Sequence, residues 1–137
     1  ARLAVEEYER FAAQNGRFDP RKDLGIIVPY RRQIALVRNA LLQSAHPELA
    51  DVTIDTVERF QGSECNTIIY GFTVTRASQL AFLCSTQFED ECGQWVDRKL
   101  NVALTRARER MLIVGYRPLL ERVPLFRELI DFCESAH

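Results

Sequence analysis

Five cations, Arg98, Lys99, Arg106, Arg108 and Arg110, fall in one short segment, opposed there only by Glu109. The stretch Trp95–Arg108 predicts a helix, because Leu100, Ala103, Leu104 and Ala107 recur at i, i+3, i+4 and i+7. On that wheel Lys99 and Arg106 stack on one side of the apolar stripe, and Asn101 and Arg108 flank the other. A helix docked by its small residues would hold Arg106 in a fixed direction. A planar guanidinium so fixed can stabilise charge on a transferring phosphoryl group. By spacing alone, a solvated basic helix face remains the alternative.

A second candidate is Thr53-Ile54-Asp55-Thr56-Val57-Glu58-Arg59-Phe60-Gln61-Gly62-Ser63-Glu64. Here a strand breaks at Asp55-Thr56 into a turn of helix that Gln61-Gly62 ends. Thr56 offers a hydroxyl and a backbone N–H where a phosphate could sit. Gly62 permits close backbone approach, and Glu64 can accept a hydrogen bond from a sugar hydroxyl. By these residues alone, a plain strand–turn–strand connection with Thr56 as N-cap and Gly62 as a turn residue is the favoured alternative. The third candidate, Pro29-Tyr30-Arg31-Arg32-Gln33, joins an aromatic ring and two arginines at a strand end where a helix begins, a combination able to follow a nucleic-acid backbone. A packed Tyr30 with solvated arginines is its alternative.

Some chemistry is missing from the chain. There is no GxxxxGK[ST] phosphate loop and no GxGxxG, so nothing here grips a triphosphate alone. His46 and His137 are the only histidines, and Cys65, Cys84, Cys92 and Cys133 form no CxxC pair, which argues against a zinc site or a Ser/His/Asp triad.

The elements that must position these residues follow from periodicity. Helices are predicted over 2–14, 30–45 and 124–135, besides the one over 95–108. Asn15-Gly16 caps the first, and His46-Pro47 stops the second. Gly25–Pro29, Val52–Asp55, Asn66–Val74 and Met111–Gly115 predict strands, and residues 76–94, without a clear period, predict a loop or small insertion. Short apolar strands alternating with helices imply an α/β fold, a parallel sheet covered on both faces. Ligands on such sheets gather outside the carboxyl ends of the strands, where Val28-Pro29-Tyr30, Asp55-Thr56 and Gly115 fall.

The 137 residues are expected to form one domain, 1–137, cut from a longer protein. No run reaches the roughly 18 apolar residues of a membrane helix. The opening residues lack the pattern of a signal or transit peptide, so free thiols in a reducing, intracellular (cytoplasmic or nuclear) setting are expected. Net charge is −1, so any polyanion site must come from the distribution of charge rather than its sum.

Taken in order, the three candidates resemble superfamily 1 helicases, in the branch containing the nonsense-mediated-decay RNA helicase, senataxin-like helicases and flap-processing nuclease-helicases. Gly25–Gln33 looks like motif IV (IGIITPYRAQ), Thr56–Glu64 like motif V (TVDxFQGxE), and Arg98–Arg108 with Leu112–Gly115 like motif VI (RRLNVALTRAR followed by an apolar strand). The resemblance covers most of the chain, from about Leu24 onward, and its motif VI is highly specific. Val28 stands where motif IV usually has threonine, Lys99 where motif VI often has a second arginine, and Val96-Asp97 where Asp-Pro is common.

The resemblance implies the C-terminal RecA-like domain, a P-loop NTPase-type fold without the P-loop. It implies a 5′-to-3′ motor using ATP and Mg²⁺, bound mainly by an N-terminal RecA-like domain of the same protein, and acting on single-stranded DNA or RNA. By resemblance Arg106 is the arginine finger at the γ-phosphate. Gly62 and Glu64 lie near the nucleotide's sugar, and Gln61 couples nucleotide to nucleic acid. Pro29, Tyr30 and Thr56 lie along the strand's backbone. The QYRMHP segment that opens such domains is not in the chain, so the chain alone is expected to be inactive. A degenerate helicase-like domain that only binds nucleic acid or protein is the rival reading.

Overall fold

The computed structural model describes residues 1–14, 17–60, 64–72, 74 and 76–135, the side chain at 86 excepted. Its elements in chain order are α1 (Arg2–Gln14), β1 (Leu24–Ile27), α2 (Arg31–Leu42), a 3-10 turn (Pro47–Asp51), β2 (Thr53–Asp55), β3 (Cys65–Phe72), α3 (Ala77–Leu83), a second 3-10 turn (Cys84–Thr86), β4 (Gln87–Glu89), β5 (Trp95–Asp97), α4 (Arg98–Leu104), β6 (Ala107–Gly115), α5 (Arg117–Leu120) and α6 (Pro124–Ser135).

Four strands form one sheet in the order β2-β1-β3-β6, with each neighbouring pair parallel. Side chains alternate between its faces, as the strand period requires. Ile27, Ile68, Tyr70 and Phe72 point to one face, beneath α3 to α6 and the turn carrying Val57 and Phe60. Leu24, Ile26, Ile54 and Ile69 point to the other, beneath α1, α2 and the first 3-10 turn. Helices therefore cover both faces of a parallel sheet, the RecA-like α/β arrangement. Arg38 on α2 donates through Nη1 to the carbonyls of Ala50 (2.8 Å) and Val52 (2.7 Å), satisfying backbone just before β2. No described helix is long and apolar enough to cross a membrane, and all four cysteines are free thiols.

After β1 the chain crosses to the α2 face, whereas after β2 Val57 and Phe60 enter the opposite face. Diverging connections of this kind leave a crevice at the carboxyl ends of the strands. Gly25 makes room for the crossing, since a Cβ there would lie 2.6 Å from the Phe60 ring and 3.0 Å from both Cys65 Sγ and Ile68 Cδ1.

Two expectations are corrected. Residues 76–94 are not irregular; they fold into α3, a 3-10 turn and β4, which pairs antiparallel with β5. Their tight turn needs Gly93, at φ +76°, while Asp90 Oδ1 accepts from the N–H groups of Cys92 and Gln94, both at 2.9 Å. Nor is 95–108 one helix. Trp95–Asp97 is a strand, α4 ends at Leu104, and Arg108 and Arg110 lie on β6. The reason is competition between two periods. Ala107, Met111 and Ile113 pack on the α4 side of the sheet and Leu112 on the other, while β3 supplies a ladder beginning at Cys65 opposite Ala107. Thr105 closes the helix by donating its hydroxyl to Val102 O at 2.7 Å. Consequently only Leu100 and Ala103 of the expected stripe are buried, and Leu104 is 39% exposed. Asn15-Gly16, expected as a helix cap, lies outside the described residues.

Candidate functional site

The candidate residues gather at opposite ends of the sheet. At the carboxyl ends of β1 and β2, Pro29, Tyr30, Arg31, Thr56, Glu58, Phe82 and Lys99 line a groove of about 280 Å³. Motif IV and motif V residues thus meet where the crevice argument placed them. The Tyr30 ring stacks on Phe82, with centroids 4.8 Å apart and planes 23° apart. Lys99 Nζ lies 4.9 Å from the Phe82 centroid and 2.8 Å from Glu58 Oε1. The Arg32 guanidinium is 5.9 Å from the Tyr30 centroid.

Thr56 is only 6% exposed, and its polar groups are already engaged within the protein. Its N–H donates to Asp55 Oδ1 at 2.9 Å, and its hydroxyl is hydrogen-bonded to Glu58. The cations lining this groove are Lys99 and Arg31. Burial pushes the Glu58 carboxyl up, but hydrogen bonds from Lys99, its own backbone and Thr56, with the Lys99 charge, outweigh it and hold Glu58 below the usual glutamate range.

The other cluster lies at the amino ends of β3 and β6, which the carboxyl-end rule did not foresee. Arg106 occupies the turn between α4 and β6. Its N–H donates to Ala103 O (3.0 Å), and its carbonyl accepts from Cys65 N–H (2.9 Å). Its guanidinium donates from Nε (3.3 Å) and Nη2 (3.0 Å) to Thr105 Oγ1. A backbone pinned on both sides, rather than a helical stripe, sets where Arg106 starts from. The hydrogen bond at Cys65 brings the Arg106 backbone beside Glu64, the preceding residue. The Glu64 carboxylate accepts from Arg108 Nε at 3.1 Å in a half-exposed ion pair. A guanidinium and a carboxylate on one edge match the charge of a nucleotide's phosphates and the hydroxyls of its sugar. Gln61 and Gly62 lie outside the described residues.

Helix α4 links the groove to this edge. It starts at the groove, next to Lys99, and leads within two residues to Arg106. Its seven residues rise about 10 Å. Asp97 fixes its start as N-cap, accepting from Leu100 N–H at 3.0 Å and from Gln87 Nε2 at 3.2 Å, while itself only 3% exposed. Reasoning from sequence missed Phe82, Glu58 and the place of Lys99. One signal was there: Ala77, Leu80 and Leu83 recur every three residues, and Phe82 is a large ring off that stripe.

Residues 1–118 match the family described as an AAA domain. The chain is 33% identical over 113 residues to the DNA replication ATP-dependent helicase/nuclease DNA2 of Bos taurus, covering 82% of this chain and 10% of that protein. It is 34% identical over 122 residues to the 3'-5' exoribonuclease HELZ2 of Mus musculus, covering 87% and 4%. It is 32% identical over 120 residues to the putative helicase MOV-10 of Gallus gallus, covering 83% and 12%. The chain thus spans about a tenth or less of the length of these relatives. With the parallel RecA-like sheet and the ordered motifs, the chain belongs to this AAA-domain family, as a superfamily 1 helicase C-terminal region.

Proposed function

We propose that residues 1–137 act as the second motor domain of an ATP-dependent DNA or RNA helicase, contributing an arginine finger and part of the nucleic-acid track. The observation that supports this reading is one short helix with Lys99 in the groove at its start and Arg106 at the amino-end edge of the sheet just past its end. The names of two of the relatives above, the helicase/nuclease DNA2 and the putative helicase MOV-10, support it.

In this reading Arg106 leaves Thr105 and turns its planar fork toward the γ-phosphate when a facing N-terminal RecA-like domain closes on this edge. Glu64 accepts from a sugar hydroxyl beside Gly62, exchanging Arg108 for the nucleotide. Gln61 couples nucleotide to nucleic acid in this reading. Mg²⁺-ATP supplies the phosphoryl group to be transferred and is gripped mainly by the facing domain. Among the described residues no three His, Cys, Asp or Glu side chains converge as a metal cluster. At the groove, Tyr30 and the Pro29 turn border the strand, Lys99 and Arg31 meet its phosphates, and Thr56 holds Glu58 in place. A second reading, a binding module without hydrolysis, is favoured by the Glu64–Arg108 pair, which already gives the Glu64 carboxylate a partner.

The test is made on the purified chain. It should turn over no ATP, with or without single-stranded DNA or RNA. It should bind unrelated single strands with similar affinities that fall as salt rises. Nucleic-acid-stimulated hydrolysis by the chain alone would overturn the half-motor reading, and salt-insensitive preference for one sequence would overturn the phosphate track.

A further inference from the structure

We propose that Phe82 is a base-stacking platform in the groove, and that Phe88 with Arg98 continues the same track onto the β4–β5 hairpin. This rests on the reading of the groove as a nucleic-acid site and adds how bases, not only phosphates, are held.

Phe82 is 43% exposed, although α3 already buries Leu80 and Leu83. A large ring left in solvent on a helix whose core contacts are met by other residues is not needed for packing. Its near-parallel stack on Tyr30 holds it in one orientation, and Lys99 Nζ stands 4.9 Å from its centroid. The arrangement recurs next door: Phe88 is 37% exposed, with the Arg98 guanidinium 4.8 Å from its centroid, and both line a second opening with Ser85 and Gln87. Arg98 and Lys99 are successive residues at the start of α4, so two ring–cation pairs issue from one anchored point. Exposed rings interleaved with cations are how proteins hold single strands without reading sequence, because every base has a π face and every nucleotide a phosphate. A protein side chain could also seat on such a ring. The cations beside each ring and the Arg31 and Arg32 side chains nearby favour a polyanion.

The test compares two labelled single strands of equal length and phosphate number, one of thymidines and one abasic throughout, binding to the full chain. Wild type should prefer the thymidine strand. Stacking on one ring corresponds to about 5- to 100-fold in affinity. Phe82→Ala should lose that preference while binding the abasic strand within about twofold of wild type, and Phe82→Trp should keep it. Lys99→Ala should weaken both strands alike and reduce the salt slope by about one. Should Phe82→Ala lower the thermal midpoint enough to cloud the comparison, Phe82→Leu, which keeps an apolar contact with Tyr30, replaces it with the same expectation. If wild type binds both strands equally, or Phe82→Ala weakens both equally, the platform is overturned while the phosphate track stands. If neither strand shows salt-dependent binding, the track itself fails, and the platform with it.

Discussion

Replacing Asp97 by alanine tests how the start of α4, and with it Lys99, is held. Asp97 is 3% exposed, and its Oδ1 accepts from the N–H of Leu100, itself 5% exposed. Loss of an N-cap costs typically about 1 kcal/mol and up to about 2. Burial places this cap toward the upper end, since an N–H left without an acceptor away from water costs about 1–3 kcal/mol. The Gln87 bond to Oδ2 adds about 0.5–1 kcal/mol. Asp97→Ala should therefore destabilise by about 2–3 kcal/mol in all. For a chain of 137 residues, unfolding entropy of about 2.1 cal/mol/K per residue turns this into a drop of about 7–10 °C in Tm. Asp97→Asn should lose less than about 1 kcal/mol, because asparagine caps as well as aspartate and the Gln87 amide can turn to suit it. Urea and thermal unfolding followed by circular dichroism measure both. Equal losses for alanine and asparagine, or an alanine loss under about 0.5 kcal/mol, would refute the capping argument.

Further predictions follow from the same contacts. Glu58, held below its usual range, contributes stability that is fully present above the ordinary glutamate pKa of about 4.3 and is lost as pH falls through its lower folded value. Lys99→Met should raise the Glu58 midpoint in a carboxyl NMR titration, since burial then acts with less opposition; an unchanged midpoint would contradict the pair's role. Gly25→Ala should destabilise by about 1–3 kcal/mol, as its methyl meets Phe60, Cys65 and Ile68 at 3.0 Å or less; unfolding at wild-type urea concentrations would show that Phe60 yields freely. Burial pushes the Cys65 thiol up, so in the folded chain it should react with a thiol reagent far more slowly than exposed Cys92. Equal rates at the two would contradict the packing at the start of β3.

Much of the fold was legible because its main elements are long enough to show a period. α6 carries several turns of apolar spacing, and β3 is an eight-residue β-branched and aromatic run. The missed elements are short. α3 has seven residues and β4 and β5 three each, too few for either period to declare itself, and the hairpin depends on the pairing of β4 with β5. Arg106 shows a different failure. Ala103 and Ala107 fit a helical spacing and Ala107, Met111 and Ile113 a strand face, so the sequence alone carried two answers at the same residues. Ladder bonds to β3 decided for the strand. The groove was half legible: Pro29, Tyr30 and Thr56 were named and do meet, whereas Phe82 arrives from a segment that showed no period.

A test of Arg106 as the proposed arginine finger needs a control arginine. Arg110 lies close to Arg106 in sequence, but Nη1 of Arg110 bonds Glu7 Oε1 at 2.8 Å, an ion pair tying β6 to α1 at a carboxylate only 9% exposed. Its removal would leave that nearly buried carboxylate with Arg10, at 2.9 Å, as its remaining ion-pair partner in place of two, so Arg110→Ala would report on stability as well as catalysis. Arg122, exposed in the turn between α5 and α6, is the better control.

For the proposed motor role, the most direct measurement is single-turnover ATP hydrolysis by the full-length protein containing this chain, with ATP affinity determined separately. An arginine that meets the γ-phosphate only on closure acts on the transition state more than on the bound substrate. Arg106→Ala should then lower the hydrolysis rate by about 10³–10⁵ while ATP affinity changes only a few-fold, and Arg106→Lys should recover little because a point charge lacks the planar fork. Arg122→Ala should hydrolyse ATP as wild type does. Wild-type hydrolysis by a folded Arg106→Ala variant would contradict the account.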